Sequence, residues 1–285
     1  MTKESMHQSR RDFLKTSAGL AAAGFVINSC SKPEAATHEI PIALQLYSVR
    51  SECAKNFAAT IAAVAQLGYQ GVEFAGYYDT SAKDLREILD DNGLKVAGTH
   101  TQFNTVSPEN LEATIEYNQI IGNRNLIIPW LNAADYPTKD DWLKLADRFN
   151  ELAEKLKPHN MRIGYHNHTF EFEAINGEMP WDIFAQSTVK DVILQLDTSN
   201  AVFGGVDPLA YLKKYADRTT TIHIKEASRT KEKYFLGEGD VPWPKIVQTC
   251  QESGATQWYI IEEELDFCEP LKCVETDLIN FKRFL

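Results

Sequence analysis

Cysteine is scarce in this chain, five in 285 residues, and the spacing forms neither a disulfide framework nor a thiolate zinc motif. Cys53, Cys250, Cys268 and Cys273 therefore read as small buried thiols, although Cys268 and Cys273 are near enough in sequence to pair in an oxidising compartment. Basic residues are also few: 29 Lys and Arg stand against 40 Asp and Glu, a net charge of −11. So acidic a surface repels polyanions, which argues against a nucleic-acid partner and against a heavily phosphorylated substrate. The chain also lacks a glycine-rich phosphate turn after its first strand candidate, which ends at Tyr47, and this disfavours a doubly wound open sheet.

The N-terminus carries Ser9-Arg10-Arg11-Asp12-Phe13-Leu14-Lys15, followed by a weakly apolar stretch over 20–27. That stretch falls short of the roughly 20 residues of a membrane span, and the whole resembles a bacterial twin-arginine export signal. Ile27-Asn28-Ser29-Cys30 resembles a lipoprotein cleavage box, which makes Cys30 the lipidated residue and 31–39 a tether. The expectation is an exported, periplasmic protein held at the membrane by a lipid anchor alone. Residues 1–30 hold four basic and two acidic side chains, so their removal deepens the net charge to −13. The remainder, 40–285, suits one large domain.

Within that remainder, short apolar runs alternate with amphipathic helical stretches. Strand candidates lie at 42–47, 69–74, 95–99, 125–129, 162–167, 192–197, 220–224 and 258–262. Helical spacing puts Trp142, Leu145, Phe149, Leu152 and Leu156 on one face, and likewise Leu271, Val274, Leu278 and Phe281. Asn92-Gly93 closes one helix, and Pro208 after Asp207 opens another. Gln45, Glu73, His100, Pro129, His166, Asp197, His223 and Glu262 close the strand candidates at intervals of 26 to 39 residues. Eight such units are the rhythm of a single (β/α)8 barrel, whose catalytic groups sit at the C-terminal ends of the strands.

The late strands carry the chemistry. Period-two alternation puts Gln195 with Asp197, Thr221 with His223 and Lys225, and Glu262 with Glu264, each set on one face. Charge directed into a barrel is costly unless it is paired or binds a metal. Carboxylates with an imidazole and no thiolate suit a divalent metal such as Mn, Co, Mg or Zn. Glu73 and His100 close earlier strands and read as a base or as hydroxyl-binding groups. Trp130, Phe103, Tyr77 and Tyr78 follow strands on the same rim and offer faces for a sugar ring.

Five segments recur in order: Gly164-Tyr165-His166-Asn167-His168-Thr169-Phe170-Glu171-Phe172, Leu196-Asp197-Thr198-Ser199-Asn200, Ile222-His223-Ile224-Lys225-Glu226, Gly237-Glu238-Gly239-Asp240-Val241-Pro242-Trp243 and Tyr259-Ile260-Ile261-Glu262. Together they resemble the sugar phosphate isomerase/epimerase family of xylose-isomerase-like barrels, which also includes inosose dehydratases, from about residue 41 to the C-terminus. The resemblance implies a divalent metal held by Asp197, His223, Glu262 and an acid near the fifth strand. Glu171 is the preferred fourth ligand, with His166 the alternative. It also implies a substrate contact at Lys225. Asn200 stands where many members have His, and is carried as a substrate-binding position. Glu171, Glu262, His166 and His168 are the candidate acids and bases.

The implied reaction is proton abstraction beside a carbonyl, through an enediolate, on an unphosphorylated sugar. Return of the proton makes an isomerase or epimerase; loss of a β-substituent from a keto-glycoside makes a lyase. An endonuclease of this barrel type would need a basic groove that the composition lacks. A sugar-binding lipoprotein without catalysis would need no metal cluster.

Overall fold

The strands are apolar almost throughout because both of their faces are covered, one by helices and the other by the barrel interior. In the computed structural model, which describes residues 39–285, six of the eight strands are buried at every position. They are β1 (Ile42–Gln45), β2 (Gly71–Phe74), β3 (Lys95–His100), β4 (Asn125–Ile128), β5 (Arg162–His166), β6 (Ile193–Asp197), β7 (Thr221–Ile224) and β8 (Trp258–Ile261). Each pairs parallel with its successor, and β1 closes on β8. The expected single (β/α)8 barrel is therefore present. The signal, Cys30 and most of the tether lie outside the described residues. Among those described, no helix is long and apolar enough to cross a membrane.

Ten α-helices surround the strands among the described residues: α1 (Arg50–Lys55), α2 (Phe57–Leu67), α3 (Ala82–Asp91), α4 (Leu111–Ile121), α5 (Lys139–Leu156), α6 (Pro180–Ser187), α7 (Thr198–Phe203), α8 (Pro208–Tyr215), α9 (Trp243–Ser253) and α10 (Pro270–Phe281). The helical stripe on α5 is fully buried, and Thr138 with Asp141 forms a capping box at its start. On α10, Val274, Leu278 and Phe281 are buried, while Leu271 is half-buried. Asn92 caps α3 ahead of Gly93 at φ +64, and Asp207 accepts from the Leu209 N–H to open α8.

Two expectations change. The first strand stops at Gln45, because the Gln45 amide oxygen accepts the Tyr47 N–H and turns 46–49 into a 3-10 helix. Cys268 and Cys273 are joined as a disulfide rather than free: the chain bends into Pro270 at the start of α10 and brings their Cα atoms within 5.9 Å. Cys53 and Cys250 are the buried free thiols.

Strand register assembles the site. Asp197 is paired with His223, His166 with Gln195, and Gln45 with Glu73. Glu262 follows β8 directly, and its N–H donates to the Ile224 carbonyl at 3.3 Å. All of these residues end at the C-terminal rim.

Candidate metal centre and active site

Asp197 ends β6 and begins α7. Its Oδ1 accepts the Asn200 N–H at 2.7 Å as the helix cap, which leaves Oδ2 for something else. Oδ2 is buried and has no hydrogen-bond partner. It points into a ring of cations and imidazoles: His166 Nε2 at 3.8 Å, Lys225 Nζ at 3.9 Å and His223 Nδ1 at 4.0 Å. A buried carboxylate oxygen without a partner is costly, so a cation that fills the gap would relieve it.

His223 lies between two acids, with Nε2 2.6 Å from Glu73 Oε2 and Nδ1 3.0 Å from Glu262 Oε2. Burial pulls its pKa down, but the Glu73 and Glu262 carboxylates override that and raise it to about 10. Burial likewise opposes ionisation of Glu262, yet the Lys225 ammonium and His223 hold its carboxyl well below the usual range. Lys225 reaches Glu262 at 3.3 Å and Glu264 at 2.5 Å.

Gln195 sets the histidine tautomers. Its amide nitrogen donates to Glu73 Oε1 at 2.8 Å and Thr221 Oγ1 at 2.9 Å, because a carboxylate can only accept. Its oxygen therefore faces His100 Nε2 and His166 Nδ1, both at 3.0 Å, and both must donate. His166 Nε2 is left with a lone pair on the side of Asp197. Burial and the neighbouring His223 and His100 keep His166 neutral by lowering its pKa well below the ordinary value.

Ligand atoms of His166, Asp197, His223 and Glu262 all lie within 4.8 Å of one another. Bonds of about 2.0–2.2 Å put donor atoms roughly 3–4 Å apart, so a small contraction would close this set on a metal. Two carboxylates, two imidazoles and no thiolate suit Mn, Co, Mg or Zn. Residues and geometry fit the group. Above the cluster opens a cavity of about 320 Å³, walled by His100, Trp130, His168, Lys225 and Glu264. A larger cavity of about 510 Å³ lies at the opposite end, near Arg124, Arg162 and Trp258, and holds none of the cluster.

The xylose isomerase-like TIM barrel family matches residues 61–275. The chain belongs to that family. Residues 7–26 match the signal sequence of the twin-arginine translocation pathway, which marks the chain for export across the membrane. It is 26% identical over 248 residues to an inosose dehydratase of Lacticaseibacillus casei, covering 74% of this chain and 83% of that protein. A solved sugar phosphate isomerase/epimerase from Parabacteroides distasonis superposes with a TM-score of 0.72 at 25% identity, over 84% of this chain and 96% of that one. An L-ribulose 3-epimerase shares the fold at 15% identity, with a TM-score of 0.65 over 86% and 94% of the two chains.

Within this xylose isomerase-like frame, several site expectations shift. Glu171 lies outside the cluster. The 3-10 turn Phe170–Phe172 rolls its side chain beneath β5, where one oxygen meets the Tyr165 hydroxyl and the other accepts the His168 N–H at 2.9 Å. The fourth side chain grouped with Asp197, His223 and Glu262 is that of His166. Glu73 is fully buried under His223, with both oxygens held by Gln45, Gln195 and His223, so it orients the cluster and does not reach the cavity. Asn200 also fails to line the cavity; its amide donates to the Asn167 carbonyl at 3.1 Å. His100, His168, Lys225 and Trp130 do line it, and Trp130 is 55% exposed. Gln45 and Gln195 were missed as organisers, although alternation already placed Gln195 on the inward face with Asp197.

Glu171 offers a direct test. Burial pushes its carboxyl up to about 7, against the Tyr165 hydroxyl, which pulls it down. A carboxyl whose folded pKa lies above its unfolded value of about 4.3 stabilises the fold in its protonated form. That contribution is full below pH ~4.3 and is lost as pH rises towards 7. Glu171→Gln keeps an acceptor for the His168 N–H and supplies a donor to the Tyr165 oxygen. It is expected to stabilise the protein at pH ~8 by on the order of 1–3 kcal/mol, measured by denaturant unfolding, with metal content unchanged. Loss of the metal in this variant would return Glu171 to the ligand set.

Proposed function

We propose that this enzyme removes the proton beside the carbonyl of an unphosphorylated sugar and returns it, as an isomerase or epimerase. The observation that carries this reading is the buried, unpartnered Asp197 Oδ2 facing His166, His223 and Glu262. Those four residues would hold a divalent metal, which when bound would act as a Lewis acid on neighbouring sugar oxygens.

The side chains around it divide the remaining work. A general base must be unprotonated at working pH, and Glu262 and His168, both on the cavity wall, meet that condition. Glu262 does so through Lys225 and His223, which outweigh its burial; His168 does so because burial, aided by Lys225, lowers its pKa to about 4. Lys225, 13% exposed and paired with Glu262 and Glu264, is placed to donate to a sugar oxygen. Among the described residues it is the one Lys or Arg lining this cavity, and its charge is already matched by those acids, which disfavours a phosphate there. Trp130 offers an open ring face for stacking.

The test is turnover of unphosphorylated ketoses and 3-keto-glycosides by metal-loaded protein in deuterated water. Deuterium should enter at the carbon beside the carbonyl. No wash-in and no product from any of them would sink the reading. The likeness to an inosose dehydratase favours a second fate, β-elimination after the same proton transfer. Elimination would appear as a conjugated enone absorbing in the ultraviolet, together with a released leaving group.

A further inference from the structure

The cavity over the cluster is not isolated. A second and larger one, about 530 Å³, lies between the turn after β2, the loop after β3 and α4. The two share Ala75, His100 and Gln102 in their walls, so they lie side by side at His100. A space of 320 Å³ is at the lower end for a small-molecule site and suits a single sugar ring. The adjoining volume exceeds what that ring requires.

Its walls specify what it can take. Tyr77 and Tyr117 are stacked with centroids 4.3 Å apart. Their hydroxyls are already engaged, that of Tyr77 by Thr99 at 3.2 Å and Asn118 at 3.0 Å, and that of Tyr117 by the Thr80 carbonyl at 2.7 Å. The threonine hydroxyls are spent in the same way: Thr101 on the Thr99 carbonyl, Thr105 on that of Gln102, and Thr114 on that of Thr105. What is left for an occupant is mainly ring surface, methyl groups and Ala113, together with the exposed side chains of Gln102 and Asn110. Among the described residues, no Asp, Glu, Lys or Arg lines this space. A phosphate, a carboxylate or an ammonium would be desolvated there without a counter-charge. A second sugar would lose hydroxyl hydration with few open partners to replace it. A flat, uncharged ring would gain burial against fixed aromatic surfaces at little entropic cost, because the walls are already ordered.

We propose that the substrate is a two-part molecule, a sugar ring over the metal cluster joined to an uncharged aryl group that occupies the cavity between α4 and the loops after β2 and β3. The inference deepens the carbohydrate reading of the site and rests on it. It places an aryl glycoside whose sugar ring carries a ketone, rather than a free monosaccharide, in the full cleft, the plain glucosides below serving as binding probes that lack the reacting carbonyl.

Binding can be read without turnover, which keeps the failure of this proposal separate from that of the proposed reaction. Calorimetric titration of the full-length protein with phenyl β-glucoside and with methyl β-glucoside should show the phenyl compound binding at least about tenfold more tightly. Ala113→Trp, at an exposed position of α4 that faces the cavity, should erase the preference by filling the space, and Ala113→Phe should reduce it. Both variants are checked for an unchanged unfolding temperature. Equal affinities in the parent protein, a preference that survives Ala113→Trp, or tighter binding of a disaccharide such as cellobiose than of the phenyl compound would overturn the proposal. Absent deuterium exchange alongside a clear phenyl preference would instead refute the reaction and keep the subsite.

Discussion

Replacing Asp197 with Asn is expected to lower metal affinity and kcat/KM by about a thousandfold or more, while the barrel stays folded. The two oxygens of Asp197 do different things. Oδ1 caps α7 through the Asn200 N–H, and Asn is as good a capping residue as Asp. Oδ2 has no partner and faces His166, His223 and Lys225. In the Asp197→Asn variant the cap is kept, and an NH₂ group replaces the oxygen that would bind the metal. A metal contributes several kcal/mol of charge stabilisation in such chemistry, and each 1.36 kcal/mol is a factor of ten in rate, which gives about 10³-fold. Stability should move in the opposite direction. Burial raises the Asp197 pKa to about 6, in part against Lys225, so the isolated carboxylate is an electrostatic burden when no metal is present. Chelator-treated Asp197→Asn should therefore unfold at or above the temperature of chelator-treated parent. Elemental analysis, steady-state kinetics and thermal unfolding together check the prediction. Unaltered metal content with unaltered turnover would remove Asp197 from the centre.

How much of this was readable in advance depended on the range of the interaction. The barrel was legible because eight buried parallel strands impose a local, repeated pattern of apolar runs and amphipathic helices. Asp197, His223 and Glu262 were legible because alternation within each strand settles which residues face inward, and adjacent strands bring those faces together. Glu73 was misplaced in role because its partner His223 is 150 residues away, and only barrel closure brings the two within 2.6 Å. Glu171 failed for a shorter-range reason. A 3-10 turn rotates successive side chains by about 120°. In Phe170–Phe172 the acid is thereby carried back to Tyr165, and nothing in the motif itself announces that turn. The cavity beside Tyr77 and Tyr117 depends on the loops of two units, after β2 and after β3, and had no periodic signature.

The largest effect on stability is expected from an acid with no part in the chemistry. Glu226→Gln should lower the unfolding temperature by about 4–24 °C. Glu226 lies just beyond β7, buried, and its carboxylate collects four donors, three of them from the motif around residue 240. Oε1 accepts the N–H groups of Ala227 at 3.0 Å and Val241 at 3.2 Å; Oε2 accepts the Gly237 N–H and the Trp243 indole N–H, each at 2.7 Å. The backbone closes so tightly on this group that a Cβ at Gly239 would sit 2.5 Å from Oε1 and 2.2 Å from the Ala227 carbonyl oxygen. Gly237 holds φ +87 to turn its N–H inward. Gln has the same shape, but its nitrogen donates and cannot accept. Two of the four N–H groups would be left buried opposite another donor, at roughly 1–3 kcal/mol each. For a domain of this size each kcal/mol shifts the midpoint by about 2–4 °C, which yields the stated range. The adjacent Lys225 backbone is tied to the Thr198 hydroxyl, so loosening this loop should also raise KM more than it lowers kcat. A shift below about 1 °C in the melting curve would mean that the loop is held by its packing, with Glu226 contributing nothing beyond volume.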